Sequence, residues 1–117
     1  PNTARCNGIF LRRRETRPAM VRDGLSNTYM LTEKYVSTEG YSRYGDFGYD
    51  QPFCVGDDWD LVRWTNKPPR NDARDYDPER FGSPHSGLFQ VALCDGSTHS
   101  VSISIDAKIH EHMGNRE

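Results

Sequence analysis

HSGLFQVALCDG, residues 85–96, is the stretch that decides the fold. Residues 88–94 are apolar apart from Gln90 and are bounded by turn formers. Asp95-Gly96 is a strong hairpin signal, because a type I′ turn needs positive φ at both central residues and Asp and Gly tolerate it. From Ser97 to Ile105 the pattern alternates, with Val101, Ile103 and Ile105 on one face and Ser100, Ser102 and Ser104 on the other. A period of two marks a half-buried strand. The stretch therefore predicts a β-hairpin whose Val101/Ile103/Ile105 face packs inward against Phe89, Val91 and Leu93.

Upstream, residues 8–14 (GIFLRRR) read as a short strand with a basic end. Residues 28–36 (TYMLTEKYV) read as a second strand, with Tyr29, Leu31 and Tyr35 on one face. Asp23-Gly24 and Ser26-Asn27 are turn formers ahead of it. Downstream, residues 106–113 predict a short helix that Asp106 caps and Gly114 ends, with Ile109 and Met113 pointing one way. Residues 37–84 show no sustained period and are rich in Gly, Asp, Pro and aromatics. Pro68-Pro69 and Asp77-Pro78 exclude helix locally. A stretch of that length inside a compact domain is functional, partner-stabilised or mobile. The expected fold is mainly β, of α+β class. It combines an antiparallel sheet, long irregular loops and a short C-terminal helix in a single domain, 1–117.

At 117 residues the chain has room for one modest core, and its 34% apolar content makes that core thin. Six Tyr, five Phe and two Trp supply much of the buried area. A net charge of −2 gives no electrostatic footprint for nucleic acid. The run Arg12-Arg13-Arg14 with Arg17 reads as a solvated strand end. No apolar stretch approaches the ~20 residues needed to span a membrane, and no signal peptide is visible.

Asp57, Asp58 and Asp60 are candidate calcium ligands, since calcium takes six to eight hard oxygens that closely spaced Asp and loop carbonyls can supply. The competing reading is a solvated loop whose Asp side chains hold their own turns. His85 and Asp95 flank a strand whose seven residues span ~23 Å at ~3.3 Å each, which argues against a catalytic or metal-binding pair. His110 and His112 lie two apart on a helix and do not face one ligand. No nucleophile elbow, P-loop or HExxH appears, and the chain does not read as an enzyme. The loop aromatics Tyr41, Tyr44, Phe47, Tyr49, Phe53, Trp59, Trp64 and Tyr76 either complete the core or stack on a sugar or partner protein. In an exported chain Cys6, Cys54 and Cys94 allow one disulfide and one free thiol, with Cys6–Cys54 the candidate bridge and Cys94 a small buried apolar residue.

The order of these motifs resembles the bacterial prepilin-type "processing-associated H-x9-DG" family. The pattern is Phe81-Gly82-Ser83-Pro84-His85, nine residues, Asp95-Gly96, a serine-rich strand, a short helix and Gly114-Asn115-Arg116. Asp23-Gly24-Leu25-Ser26-Asn27-Thr28 with Glu33, and Gly56-Asp57-Asp58-Trp59-Asp60 with Val62-Arg63-Trp64, resemble further segments of that family, with Leu25 in place of a small residue. The resemblance implies the C-terminal part of a pilin-like globular head, here without the N-terminal helix that anchors and polymerises such subunits in the membrane. It implies an exported, non-catalytic structural subunit of the cell envelope, periplasm or surface, whose partners are copies of itself or homologous pseudopilin-like proteins. It also raises calcium at the acidic loop, as in secretion-system pseudopilins. The alternative is a calcium-dependent carbohydrate-binding module built on Asp57, Asp58 and Asp60 beside Trp59 and Trp64.

Overall fold

The structure, a computed structural model, describes residues 7–11, 13–42, 46, 48–52 and 58–117. Its strands are β1 (Tyr29–Thr32), β2 (Arg70–Asn71), β3 (Gly82–Ser83), β4 (Leu88–Leu93) and β5 (Thr98–Ser102), followed by the helix α1 (Ala107–Met113). A three-stranded antiparallel sheet has the order β1-β4-β5, and β2 and β3 form a parallel pair of two residues each. This is the small, mainly β architecture that the sequence predicts, with the parallel pair as an addition.

The β4–β5 hairpin forms with Phe89 opposite Val101 and Val91 opposite His99. Its turn differs from the expected type I′. The Gly96 N–H donates to the Leu93 carbonyl at 2.9 Å and the Leu93 N–H to the Ser97 carbonyl at 2.9 Å. Gly96 has φ 86°, whereas Asp95 keeps a negative φ. That is a type I turn closed by a glycine bulge, the three-residue hairpin solution in which only one position needs left-handed backbone. Asp95 serves it from outside, accepting from the Ser97 N–H at 2.8 Å and the Ser97 hydroxyl at 2.6 Å.

Tyr29, Phe89, Val91 and Leu93 form the buried core, with Phe81, Val101, Ile103 and Met113 packed against it. β5 ends at Ser102, so Ile105 lies beyond the strand, where its N–H closes a turn on the Ser102 carbonyl at 3.1 Å. β1 does not keep the expected alternation. Tyr29 pairs with Leu93 but Leu31 with Ala92, so one extra residue is inserted between them. A bulge moves everything beyond it to the opposite face, and Leu31 stands 60% exposed instead of joining Tyr29. In α1 the Asp106 carboxylate caps the Lys108 and Ile109 N–H groups, as expected. The inward face, however, is His110 with Met113, while Ile109 is exposed. The described residues of the expected strand at 8–14 form none beyond an isolated Leu11–Arg14 bridge, where the Arg14 N–H reaches the Leu11 carbonyl at 3.3 Å and Arg13 has φ 59°.

The irregular stretch is held by polar side chains rather than apolar burial. The Tyr35 hydroxyl donates to the carbonyls of Ala73 (3.1 Å) and Asp75 (2.5 Å). Asp72 accepts from the Val36 N–H at 3.1 Å and from the Tyr41 hydroxyl. Asn71 donates to the carbonyls of Ser83 and His85 and accepts from the Gly87 N–H. Gly82 sits where three segments meet: its N–H donates to the Glu33 carbonyl, and the neighbouring Phe81 carbonyl accepts from the Arg70 N–H. A β-carbon on Gly82 would overlap the Arg70 carbonyl oxygen and stand 3.0 Å from the Tyr35 β-carbon. Backbone cannot step aside as a side chain can. Gly82→Ala is therefore expected to cost about 3 kcal/mol, read as a lower urea midpoint with an unchanged slope.

Candidate functional site

Two constellations bring together the residues that the sequence marks. The first is centred on Glu33, at the point where the chain leaves β1. Its N–H donates to the Gln90 carbonyl at 3.0 Å, while its carbonyl accepts from Gly82 in the second sheet. The Gln90 N–H, left without a backbone acceptor by that departure, donates to Glu33 Oε2 at 2.7 Å. The other carboxylate oxygen, Oε1, lies 3.3 Å from His85 Nε2. The His85 N–H in turn donates to the Ser83 hydroxyl at 3.0 Å. His85 therefore clips the start of β4 to the end of β1. Asp95 and Gly96 shape the turn at the far end of β4, ~20 Å away at ~3.3 Å per residue. The two halves of the H-x9-DG pattern do not meet.

The second constellation lies under the acidic loop. Asp60 is buried, and Lys34 Nζ stands 3.5 Å from its Oδ1 while donating to the carbonyls of Gly48 (2.6 Å) and Asp60 (2.9 Å). The Gln51 N–H donates to Asp60 Oδ2 at 3.2 Å. Arg63 donates to the same Gly48 carbonyl at 3.1 Å. Asp46, also buried, accepts from the N–H groups of Ser37 and Gly48. Burial first, and the nearby Arg63 cation second, lower the Lys34 pKa from its ordinary value. Asp58 Oδ1 accepts from the Asp60 N–H at 3.1 Å, so it holds its own turn. Of the three candidate calcium ligands, Asp60 thus already faces an ammonium group, Asp58 caps a turn and Asp57 lies outside the described residues. Among the described residues no group of three or more His, Cys, Asp or Glu side chains is placed to hold a metal.

Large side chains are exposed around this charged cluster. Lys34 Nζ lies 5.2 Å from the centre of the Tyr49 ring. Tyr76 feels the charges of Asp46, Arg63, Asp50 and Asp60. Trp59 and Leu61 flank the buried Asp60 in sequence, yet both are exposed, as are Tyr49 and Tyr76. The loop aromatics therefore divide. Tyr35, which the periodicity assigns to a strand face, is buried, while Tyr41, Tyr49, Trp59 and Tyr76 look outward. Tyr44, Phe47 and Phe53 lie outside the described residues, as do Cys6 and Cys54 with the candidate disulfide. Cys94 is free, its thiol 3.7 Å from the Tyr29 carbonyl, and burial pushes its pKa up.

One functional-type residue was missed by periodicity. His110 is completely buried among Tyr29, Phe81 and Phe89, with ring centres 5.6–5.9 Å away. Nδ1 lies 3.4 Å from the Tyr29 hydroxyl, and Nε2 has no hydrogen-bond partner. No carboxylate faces the ring, so it is a core histidine, the neutral half of α1's inward face. His112 is exposed on the other side. His99 Nε2 lies 2.9 Å from the Ser97 hydroxyl beside the turn.

Two outcomes follow from these environments. Burial lowers the His110 pKa from 6.5 to about 4. The unfolded chain therefore takes up a proton that the folded chain refuses. The stabilisation is complete above about pH 6.5 and is lost as pH falls toward 4, by about 3 kcal/mol at ~1.4 kcal/mol per tenfold. Denaturant titrations across that range check it, with His110→Phe flattening the dependence. Lys34→Met leaves the Asp60 carboxylate buried without its cation and is expected to cost about 3 kcal/mol. Adding Asp60→Asn should recover part of that loss in the same denaturation assay.

No curated protein and no solved structure matches the chain. Residues 2–108 match the family SBP_bac_10, whose description is "protein of unknown function (DUF1559)". That match spans nearly the whole sequence and both constellations, and the chain belongs to this bacterial family.

Proposed function

We propose that this chain is a non-catalytic structural subunit of an exported bacterial assembly, of the prepilin-type H-x9-DG kind, that works through protein–protein contacts. The observation that carries the reading is that four large side chains are exposed around the Lys34–Asp60–Arg63 cluster: Tyr49, whose ring Lys34 approaches, Tyr76, which feels the charges of Asp60 and Arg63, and Trp59 and Leu61, which flank Asp60 in the chain. Large aromatic side chains on a fixed polar footing are the usual anchors of protein interfaces. Fixing them beforehand lowers the entropy lost on association. The motif residues fit the same role. His85, Glu33, Asp95 and Gly96 shape the hairpin and clip two sheets together, which supports a structural part for the motif. Partners would be further copies of this chain or homologous subunits in the cell envelope or at its surface.

Static light scattering across a concentration series tests the reading. The wild-type chain is expected to grow in mass with concentration. Trp59→Ala/Leu61→Ala, with an unchanged far-ultraviolet spectrum, should weaken association at least ~tenfold, the range of an interface hot spot. A wild-type chain that stays monomeric throughout overturns the proposal.

A further inference from the structure

Among the described residues the outer edge of β5 has no partner strand, since the sheet order β1-β4-β5 leaves it terminal. Its hydrogen-bonding polarity follows from the register. The Leu93–Ser97 bond at the turn and the Ile103 N–H to Gly87 carbonyl bond (2.9 Å) fix the odd-numbered residues as those that bond to β4. Antiparallel ladders alternate. The N–H and carbonyl groups of Thr98 and Ser100, and the N–H of Ser102, therefore point out of the sheet. Among the described residues none of them has a hydrogen-bond partner, while the Ser102 carbonyl accepts the Ile105 N–H.

An exposed edge is normally blunted by a lysine, a proline, a bulge or a covering segment. The sequence THSVS of β5 has no Lys, Pro or acidic residue, and its pairing with β4 runs without interruption over five positions. The Ser100 hydroxyl is tied back to Gln90, donating to Oε1 at 3.1 Å and accepting from Nε2 at 2.9 Å. The edge is thus regular, has His99 as its one titratable side chain, and is open among the described residues.

We infer that β5 pairs antiparallel with β5 of a second copy of this chain, making one six-stranded sheet across a two-fold axis near Ser100. The edge is complementary to itself. With Ser100 opposite its own copy, each Ser100 N–H meets the other's carbonyl, and Thr98 meets Ser102. No formal charge opposes the approach, and every bond made satisfies a group now exposed to water. The edge is smaller than the ~800 Å² per partner of a standard interface, so the contact belongs to the weak class. It closes on itself as a dimer. A longer array then needs the separate aromatic surface, so this inference rests on the assembly reading but names a different contact.

Sedimentation velocity on the full chain at about 1 mM, where contacts of millimolar strength register, separates the two. Trp59→Ala/Leu61→Ala should sediment as a dimer held by the edge alone. Adding Ser100→Lys, which sets like charges directly opposite each other, should return it to monomer. Ser100→Pro, which removes an N–H that makes no bond within the chain, should do the same. The melting temperature of the Ser100→Lys chain should match its parent. If the Trp59→Ala/Leu61→Ala chain is monomeric while wild type associates, the edge pairing is wrong and the assembly reading stands. Dimers that survive Ser100→Lys also overturn the edge pairing. A wild-type chain that is monomeric at this concentration overturns both.

Discussion

The structure depends on one residue that belongs to two sheets at once. Glu33 gives its N–H to β4 and its carbonyl to β3, so the chain passes from one hydrogen-bonded layer to the other within a single residue. Such a passage ordinarily strands a donor on the strand left behind. Here the Gln90 N–H is that donor, and the Glu33 carboxylate turns back to receive it at 2.7 Å. The bond is exposed, so water competes for this donor, and the carboxylate's part is to hold β1 and β4 in register where the backbone ladder ends. His85 then fixes the second carboxylate oxygen and with it the direction in which β4 begins.

The same economy runs through the irregular half of the chain. With 34% apolar residues there is too little hydrophobic surface to order the segment between β1 and β4 by burial. Its order comes from Asp and Asn side chains that take the place of strand partners, and from the Tyr35 hydroxyl bridging two carbonyls. The Lys34–Asp60 pair works likewise. A charge pair inside a thin core adds little over an apolar pair but strongly disfavours any arrangement that separates its members. Beside it, Lys34 also lies against the ring of the exposed Tyr49.

The hairpin was legible in the sequence because every signal for it is local: alternation in residues 97–105, a turn dipeptide and an apolar run. The Asp106 cap was legible for the same reason. What escaped prediction is what depends on distant residues. The bulge that exposes Leu31 comes from fitting β1 to both β4 and β3, and nothing in TYMLTEKYV announces it. The burial of His110 has no sign in the sequence, because its apolar cage is assembled from Tyr29, Phe81 and Phe89, none of them nearby in sequence. The acidic loop was read for its own oxygens, whereas the cation that answers Asp60 is Lys34, 26 residues earlier. At the motif level, the sequence identified His85 and Asp95 but not Glu33 as the partner of the first.

The separation between Glu33 and Gln90 has a kinetic consequence. β4 and β5 are joined by a tight turn and can pair within microseconds. β1 must close a loop spanning 57 residues before it reaches β4, an entropic cost of about 3–4 kcal/mol by chain statistics. A hairpin formed ahead of β1 would have both edges open, and β4, the strand left waiting, carries Phe89, Val91 and Leu93. That interval, rather than the finished structure, is when the chain is most exposed to mispairing. The Glu33 carboxylate helps end it by accepting the Gln90 N–H, which the backbone of β1 does not reach.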